Sequence, residues 1–133
     1  MSARYTCFQG RTALLVEDVE LNREIVIAML EDTRLGFVCA ENGAIAVDLF
    51  SSAPDKFDVV FMDINMPEMD GVGATRRIRA LNAPEGARVP IIAMTANILP
   101  DEVRQYLAAG MTDHIGKPVD FELLLRMLSP YMG

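Results

Sequence analysis

The chain has little positive charge, and this limits the partners that it can bind. It carries 12 Lys and Arg against 19 Asp and Glu in 133 residues, which gives a formal net charge of −7. Binding to a nucleic-acid backbone needs clustered basic side chains. The one tight group, Arg76, Arg77 and Arg79, is typical of a solvated helix face. The composition therefore argues against nucleic-acid binding by this chain alone.

Membrane and disulfide signals are missing as well. Residues 1–10 lack the apolar core of a signal peptide, and no stretch is long and apolar enough to span a bilayer. The two cysteines, Cys7 and Cys39, have no metal-binding spacing, and Cys39 is expected to be buried because it lies in an apolar run. The sequence predicts a cytoplasmic domain with no zinc site and no disulfide framework.

Short apolar runs alternate with longer segments of helical period. The predicted strands are 12–16, 37–40, 58–62, 89–94 and 114–115. A helix is predicted after each strand: one with Leu21, Ile25, Ala28 and Met29 on its apolar face, then 43–52, 72–81 and 97–109, and a last helix capped by Asp120. Residues 82–88 are predicted to form a polar loop.

This alternation predicts a parallel sheet, because each helix must carry the chain back to the same edge. Strands that are apolar on both faces, such as 58–62, fit a sheet covered by helices on each side. The predicted fold is a doubly wound α/β domain whose five strands have the flavodoxin-like order 2-1-3-4-5. We expect it to span residues 12–131, after a flexible leader or linker at 1–11.

Charged or hydroxyl side chains follow four of the five predicted strands. Glu17 and Asp18 follow the first strand, Asp63 the third, Thr95 the fourth and Lys117 the fifth. The carboxyl ends of parallel strands meet at one edge of an open sheet, where ligands bind. We therefore expect these five side chains to converge on one site.

The chemistry of these residue types indicates phosphoryl transfer. Three converging acids repel one another unless a cation joins them, and oxygen ligands suit Mg²⁺, or Mn²⁺, rather than zinc. A carboxylate beside such an ion can attack a phosphoryl group, and Asp63 is the best nucleophile because it ends the most buried strand. Lys117 and Thr95 can interact with the phosphoryl oxygens. A single acid is more often a helix cap and a single Lys a surface charge, but their joint placement favours a site.

Several stretches of the sequence closely resemble the receiver domains of response regulators and hybrid histidine kinases. They are LLVEDVELNREI, AENGAIAV, DVVFMDINMPEMDG, ATRRIRA, VPIIAMTAN and LAAGMTDHIGKP, together with the last helix. They cover almost all of residues 13–128. MDINMPEMDG, AMTA and a Lys-Pro pair at these separations form a highly specific combination, whereas each alone would be weak.

The resemblance implies a magnesium-binding phosphoacceptor site. Asp63 would be phosphorylated, and Asp18 and Asp63 would bind Mg²⁺ through their side chains. Glu17 would assist through water, and the backbone carbonyl of Asn65 would complete the protein ligands. Asn65 and Asn97 lie where members of the family tune the lifetime of the phosphoryl group.

The resemblance also implies the residues of a conformational switch. Thr95 would move toward the phosphoryl oxygens, and Lys117 would contact the phosphate, aimed by a cis peptide bond to Pro118. An aromatic side chain usually fills the space that the Thr vacates, but His114 stands at that position here. Since His can change charge near neutral pH, we hypothesise a weakened or pH-sensitive coupling.

Two other roles are open for His114, namely a side chain that points to solvent and one that contacts a partner. NMR titration of His114 with and without a phosphoryl mimic tests the switch hypothesis, and an unchanged titration would remove it. A smaller departure is Val19, which stands where Asn is frequent, so that a capping hydrogen bond is expected to be missing.

The predicted function is Mg²⁺-dependent phosphoryl transfer from a phosphohistidine to Asp63 in two-component or phosphorelay signalling. The partner would be a histidine kinase or a histidine phosphotransfer domain. The domain would be a phosphoacceptor with its own phosphorylation and dephosphorylation chemistry rather than a turnover enzyme. We expect a receiver excised from a hybrid histidine kinase, which can be membrane-bound. The alternatives are a stand-alone response regulator and a pseudo-receiver that serves only as an interaction module, which the complete residue set disfavours.

The last helix has a second apolar line formed by Leu123, Met127 and Tyr131. A helix that is apolar on two sides usually touches something else. A homodimer partner, a neighbouring domain and a phosphotransfer partner all fit, as does a wide core stripe.

Three other phosphate-binding or metal-binding folds fit less well. An FMN binder needs hydroxyl and Gly donors where Glu17 and Asp18 stand. A haloacid-dehalogenase-type phosphatase needs a second acid where Asn65 stands. An EF-hand fails because Pro67 and Glu68 occupy positions that require an oxygen ligand and Gly.

Overall fold

A five-stranded parallel sheet forms the centre of the computed structural model, which describes residues 7–64, 66 and 69–132. Its strands are β1 (Thr12–Val16), β2 (Gly36–Ala40), β3 (Val59–Asp63), β4 (Ile91–Thr95) and β5 (Asp113–Gly116). The strand order is β2-β1-β3-β4-β5, and every neighbouring pair is parallel. The predicted fold class and strand order are therefore confirmed.

Six α-helices surround the sheet in the described part of the chain. They are α1 (Glu20–Met29), α2 (Gly43–Ser52), α3 (Gly71–Arg79), α4 (Pro84–Arg88), α5 (Pro100–Ala108) and α6 (Phe121–Met132), with a 3₁₀ turn at Glu31–Thr33. None of them is long and apolar enough to cross a membrane.

The predicted loop at 82–88 and the predicted helix start at residue 97 are both wrong, and a proline explains each. The predicted loop at 82–88 contains α4, which begins at Pro84 in the first helical turn. The helix predicted from residue 97 begins only at Pro100, and Leu99 before it is extended, with φ −61° and ψ 145°. Proline is favoured in the first turn of a helix and disfavours helical backbone at the residue before it.

The core consists of two clusters, one on each face of the sheet. Alternate residues of each strand point to opposite faces, so that Leu14 and Val60 join one cluster and Leu15 and Val59 the other. The first cluster packs the sheet against α2, α3 and α5, and the second packs it against α1 and α6. The strands β3 and β4 are buried along their whole length. Such double-sided cover fixes the position of the residues at their carboxyl ends.

The predicted apolar face of α1 is wrong. Within this helix the structure buries Val26, whereas Leu21 and Ile25 are 63% and 49% exposed. Residues 25–29 are all apolar, so the periodicity allows two faces. The face that carries Val26 is the one that packs against β1, β3 and α6 in the second cluster. The helix therefore presents an apolar surface to solvent.

The last helix is covered much more completely. Leu124, Leu125, Leu128 and Met132 are buried, and Met127 packs partly against the same cluster. The predicted cap is confirmed, because Asp120 Oδ1 accepts a hydrogen bond from the Leu123 backbone N–H at 3.1 Å. In the second apolar line, Leu123 and Tyr131 are 40% and 42% exposed.

The two cysteines are exposed, whereas Phe8 near the start of the chain is buried. Cys39 is exposed on the edge strand β2, so its predicted burial is wrong, and Cys7 is exposed as well. The predicted leader at 1–11 lies partly outside the described residues. In its described part, Phe8 is 1% exposed and packs in the cluster beneath α1 and α6.

Candidate functional site at the carboxyl edge of the sheet

The three predicted acids meet at the carboxyl edge of the sheet. Val16 pairs with Met62, so Glu17 and Asp63 occupy equivalent positions at the ends of β1 and β3. One carboxylate oxygen from each of Glu17, Asp18 and Asp63 lies within 4.8 Å of the other two. Glu17 and Asp63 are buried, whereas Asp18 is exposed. The cluster therefore has two fixed acids and one at its open side.

Lys117 supplies the positive charge of the site. Its Nζ lies 2.9 Å from Glu17 Oε2 and 3.3 Å from Asp63 Oδ1. Its backbone N–H donates to the Thr95 carbonyl at 2.9 Å, and the Lys117–Pro118 peptide bond is cis, as the resemblance implies. Residues 100 positions apart in sequence are thus joined directly by the fold.

The charges in this cluster do not balance. Burial, the Glu17 charge and the Asp18 charge raise the pKa of Asp63 to about 6, although Lys117 opposes them. Burial alone lowers the pKa of Lys117, but its hydrogen bond to Glu17 and the charges of Asp63 and Glu17 outweigh it and raise that pKa. Three carboxylates thus share one ammonium group, and the site attracts further positive charge.

The donor set fits a hard divalent cation. All three side chains offer carboxylate oxygens, the ligands that Mg²⁺ prefers in proteins. The backbone carbonyl of Asn65, which the resemblance adds, lies outside the described residues. The three described acids give the site an excess of negative charge, which a divalent cation would neutralise.

Glu17 is held by groups that the sequence analysis did not single out. Its Oε1 accepts from the Val19 backbone N–H and from Asn22 Nδ2, each at 3.3 Å. Arg23 Nη1 donates to the Glu17 carbonyl at 2.7 Å. Val19, the residue before α1, makes no side-chain cap hydrogen bond. In the sequence, the polar residues Asn22 and Arg23 follow the acidic pair closely, and they were the signal that could have identified this support of Glu17.

A glycine makes room for the Asp63 backbone. A Cβ at Gly71 would collide with the Asp63 carbonyl oxygen and come within 2.9 Å of Met62 Cγ. The Gly71 N–H donates to the Ile64 carbonyl at 3.0 Å. Asp70 starts α3 by accepting from the Gly73 N–H at 2.8 Å. The Asp-Gly pair in the sequence therefore serves the close approach of α3 to the end of β3.

Thr95 lies at the same edge in a neutral environment. It is 1% exposed at the end of β4, and its Oγ1 accepts from the Asn97 backbone N–H at 3.0 Å. Tyr106 Oη lies 3.5 Å from Thr95 Oγ1 and donates to the Asn97 carbonyl at 3.0 Å. Sequence analysis predicted Thr95 and Asn97 but missed Tyr106, whose spacing on α5 gives no sign that its hydroxyl reaches β4.

His114 lies one step below this edge. It pairs with Ala93 in the sheet, two residues before Thr95. Its side chain is 33% exposed, and its Nδ1 lies 3.7 Å from Asp113 Oδ1.

An apolar cavity of about 400 Å³ adjoins the acid cluster on the α1 side. Its apolar wall includes Ile25, Met29, Met94 and Val119, and Glu17 and Lys117 also line it. The exposed apolar surface of α1 is therefore continuous with the wall of this cavity, which reaches Glu17 and Lys117.

Comparison with known proteins gives the same family in sequence and in structure. The model of the response regulator receiver domain matches residues 13–129. The two-component response regulator ORR41 of Oryza sativa subsp. japonica is 41% identical, over 89% of this chain and 91% of its own length. Histidine kinase 3 of Arabidopsis thaliana is 34% identical over 93% of this chain, which spans only 14% of that kinase.

Two solved structures extend the comparison. The receiver domain of the sensor histidine kinase PA1611 from Pseudomonas aeruginosa PAO1, with a magnesium ion coordinated in its active-site cleft, has a TM-score of 0.82 and 38% identity. The alignment covers 93% of this chain and 98% of that one. The co-crystal structure of the Saccharomyces cerevisiae histidine phosphotransfer protein Ypd1 with the receiver domain of Ssk1 gives a TM-score of 0.84 and 27% identity, over 96% and 92%.

The match runs from the first strand to the last helix and includes the edge of the sheet where the acids meet. This chain therefore belongs to the response regulator receiver domains of two-component and phosphorelay signalling.

Proposed function

We propose that Asp63 accepts a phosphoryl group from a phosphohistidine on a histidine kinase or a histidine phosphotransfer domain. The observation that carries this proposal is the Asp63 carboxylate, buried at the end of the central strand β3 and in contact with the Lys117 ammonium. Glu17 and Asp18 complete an acidic cluster around it. A pseudo-receiver that only binds partners would not need this set of groups.

The transfer needs one nucleophile and groups that stabilise the phosphoryl oxygens. An Asp63 carboxylate oxygen forms the new bond to phosphorus while the bond from phosphorus to the donor imidazole nitrogen breaks. The nitrogen keeps the electron pair of that bond, and the imidazole is released. Lys117 Nζ, already 3.3 Å from Asp63 Oδ1, interacts with the phosphoryl charge, and the Thr95 hydroxyl donates to a phosphoryl oxygen.

Asp18 and Asp63 would hold Mg²⁺ directly, with Glu17 acting through water and Asn65 through its carbonyl. The bound ion would neutralise charge on the phosphoryl group during transfer. Mn²⁺ has the same preference for oxygen ligands and is an alternative. The unbalanced charge of the three acids supports this assignment.

Incubation with Mg²⁺ and acetyl phosphate, followed by intact mass measurement, tests the proposal. We expect one added phosphoryl group, which EDTA prevents and Asp63→Asn abolishes. Asp48→Asn, a change at an exposed acid on α2, is the matched control and retains full labelling. Full labelling of the Asp63→Asn protein would place the nucleophile elsewhere.

A protein donor would dock on the exposed apolar face of α1, which we define as Leu21 and Ile25. This face adjoins the cavity that leads to Glu17 and Lys117, so a donor seated on it is close to Asp63. The second apolar line of α6 remains a candidate for a homodimer or a neighbouring domain. Its Leu123 and Tyr131 are exposed to a similar degree.

The two surfaces can be separated by using two donors. We expect Ile25→Glu to slow transfer from a phosphorylated histidine phosphotransfer domain and to leave labelling by acetyl phosphate unchanged. Leu123→Glu is the matched control, since Leu123 is 40% exposed and Ile25 is 49% exposed. If Leu123→Glu slows transfer and Ile25→Glu does not, the donor docks on α6 instead.

Other roles from the sequence analysis stay predictions. They are the pH-sensitive switch at His114, the lifetime tuning by Asn65 and Asn97, the cytoplasmic location and the origin in a hybrid histidine kinase. The His114 side chain is 33% exposed beside Asp113, which is compatible with both alternative roles, a solvent-facing side chain and a contact with a partner.

A further inference from the structure

We propose that Tyr106 is a positioning residue that holds the Thr95 hydroxyl in a resting orientation. Phosphorylation of Asp63 would break the contact between Thr95 and Tyr106 and thereby report the phosphoryl group to α5. This inference rests on the proposed roles of Asp63 as phosphoacceptor and Thr95 as a donor to the phosphoryl group.

The hydrogen bonds around Thr95 form a closed ring. The Asn97 N–H donates to Thr95 Oγ1 at 3.0 Å, and Tyr106 Oη donates to the Asn97 carbonyl at 3.0 Å. The two hydroxyl oxygens are 3.5 Å apart. In the proposed resting state the Tyr106 hydroxyl donates to the Asn97 carbonyl, which leaves the Thr95 hydroxyl as the donor in the 3.5 Å contact. The Thr95 proton would then point to Tyr106.

A phosphoryl group on Asp63 competes for this same proton. A Thr hydroxyl has one proton to donate, so Thr95 cannot donate to Tyr106 and to a phosphoryl oxygen at once. The anionic oxygen is the stronger acceptor. Donation to it opens the ring at Tyr106, whose own proton can remain on Asn97.

Because Tyr106 is buried, the loss of its contact with Thr95 is expected to affect α5. Tyr106 is 2% exposed and packs in the first core cluster with residues of β3 and β4. A buried hydroxyl has no bulk water to replace a lost partner, so its position depends on the protein groups around it. Residues 96–99 connect Thr95 to α5, and this connection carries the exposed Ile98 and Leu99, which are 55% and 65% exposed. The contact with Thr95 is therefore placed to influence an exposed apolar surface.

Tyr106 fits this reporting role better than the side chain at the β5 position. The side chain of His114 is 33% exposed and lies beside Asp113. Tyr106 is the buried aromatic residue whose polar atom contacts Thr95. The geometry therefore assigns the coupling to Thr95 to Tyr106 on α5, and not to His114 on β5.

The first test measures the rate of phosphorylation by acetyl phosphate in saturating Mg²⁺. Tyr106→Phe keeps the ring and removes the hydroxyl, so we expect the rate to rise about 2-fold, the low end for one hydrogen bond, because the two hydroxyl oxygens are 3.5 Å apart. Tyr131→Phe, a change at a tyrosine that is 42% exposed on α6, is the control and leaves the rate unchanged. An unchanged or lower rate for Tyr106→Phe, with thermal unfolding showing a folded protein, would overturn the proposal.

The second test asks whether Tyr106 acts through Thr95. In a Thr95→Val protein the hydroxyl that Tyr106 holds is gone, so Tyr106→Phe is expected to have no further effect on the rate. A purely structural role of Tyr106 would change the rate equally in both backgrounds, and that result would contradict the proposal. Labelling that Asp63→Asn abolishes, together with an equal effect in both backgrounds, would leave the phosphoacceptor role standing and remove only this inference.

A third measurement reports on the hydroxyl itself. The chain has no Trp and three Tyr, so its intrinsic fluorescence comes from tyrosine. We expect Mg²⁺ with acetyl phosphate to change the tyrosine emission in the unaltered and Tyr131→Phe proteins, and the change to be lost in Tyr106→Phe. Equal changes in Tyr106→Phe and in the unaltered protein would mean that Tyr106 does not sense the phosphoryl group.

Discussion

The carboxyl edge of the sheet has a charged half and a neutral half. In the charged half, Glu17, Asp63 and Lys117 meet at the ends of β1 and β3 and after β5. In the neutral half, Thr95 and Tyr106 form a ring of hydrogen bonds at the end of β4. Glu17, Asp63, Thr95 and Tyr106 are all buried, and the charged half contains Asp63, whose pKa is raised to about 6.

The two halves differ in how they would respond to a ligand. The charged half is short of positive charge, so a bound cation would stabilise it. The neutral half already satisfies its polar groups, so it changes only when a stronger acceptor competes for a proton. On the proposed roles, the charged half binds the cation and the phosphoryl group, and the neutral half changes its hydrogen bonds in response.

The largest effect is expected when the cation of the charged half is removed. Lys117→Ala leaves Glu17 and Asp63 buried without their partner, and we expect a loss of about 3 kcal/mol in the free energy of unfolding at pH 8. The loss is smaller at pH 5, where Asp63 can protonate, and smaller again when Mg²⁺ is added. Urea denaturation in EDTA and in Mg²⁺ measures these differences.

Lys56→Ala is the control for this variant. Lys56 is the other lysine of the chain, and it is exposed. Its replacement is expected to change the free energy of unfolding by less than about 0.5 kcal/mol at either pH. Equal effects of the two variants would show that the contact of Lys117 with the two acids does not stabilise the fold.

A smaller effect is expected from neutralising Asp63, and its pH dependence separates the two halves. The folded protein raises this pKa from 3.8 to about 6, so the folded state holds the proton longer. The resulting loss in the free energy of unfolding is absent below pH 4, grows as the pH rises to 6 and is fully present above pH 6. We expect Asp63→Asn to add about 2 kcal/mol to the free energy of unfolding at pH 8 in EDTA, and close to nothing at pH 4.

Thr95→Val supplies the matched variant from the neutral half. It removes a neutral hydroxyl, so its cost of about 1 kcal/mol should be the same at pH 5 and pH 8. Denaturation curves of the two variants across this range measure the contrast. A pH slope in Thr95→Val equal to that in Asp63→Asn would erase the distinction between the halves.

The sequence predicted the charged half well, because the end of an apolar run marks the end of a strand. The apolar runs stop at Glu17 and Asp63, and strand pairing in a parallel sheet then brings these residues together. The neutral half was predicted only in part. Thr95 ends a strand, but Tyr106 reaches it from the second turn of α5, and no sequence spacing gives the rotation of that helix.

The orientation of α1 was mispredicted for a related reason. Residues 25–29 are apolar throughout, so the pattern does not say whether Ile25 or Val26 faces the sheet. Packing against β1, β3 and α6 decides it in favour of Val26. The start of α5 was set by Pro100, a local signal that the helical periodicity obscured.

The alternation of strands and helices and the residues at the strand ends could be read from the sequence alone, because hydrophobic period and turn-forming residues are local properties. Three features emerge only in the folded chain: the exposed face of α1, the contact of Lys117 with both Glu17 and Asp63, and the ring that Tyr106 closes with Thr95. These features depend on how elements far apart in the chain rotate and pack against one another, and that packing is settled by the whole core at once.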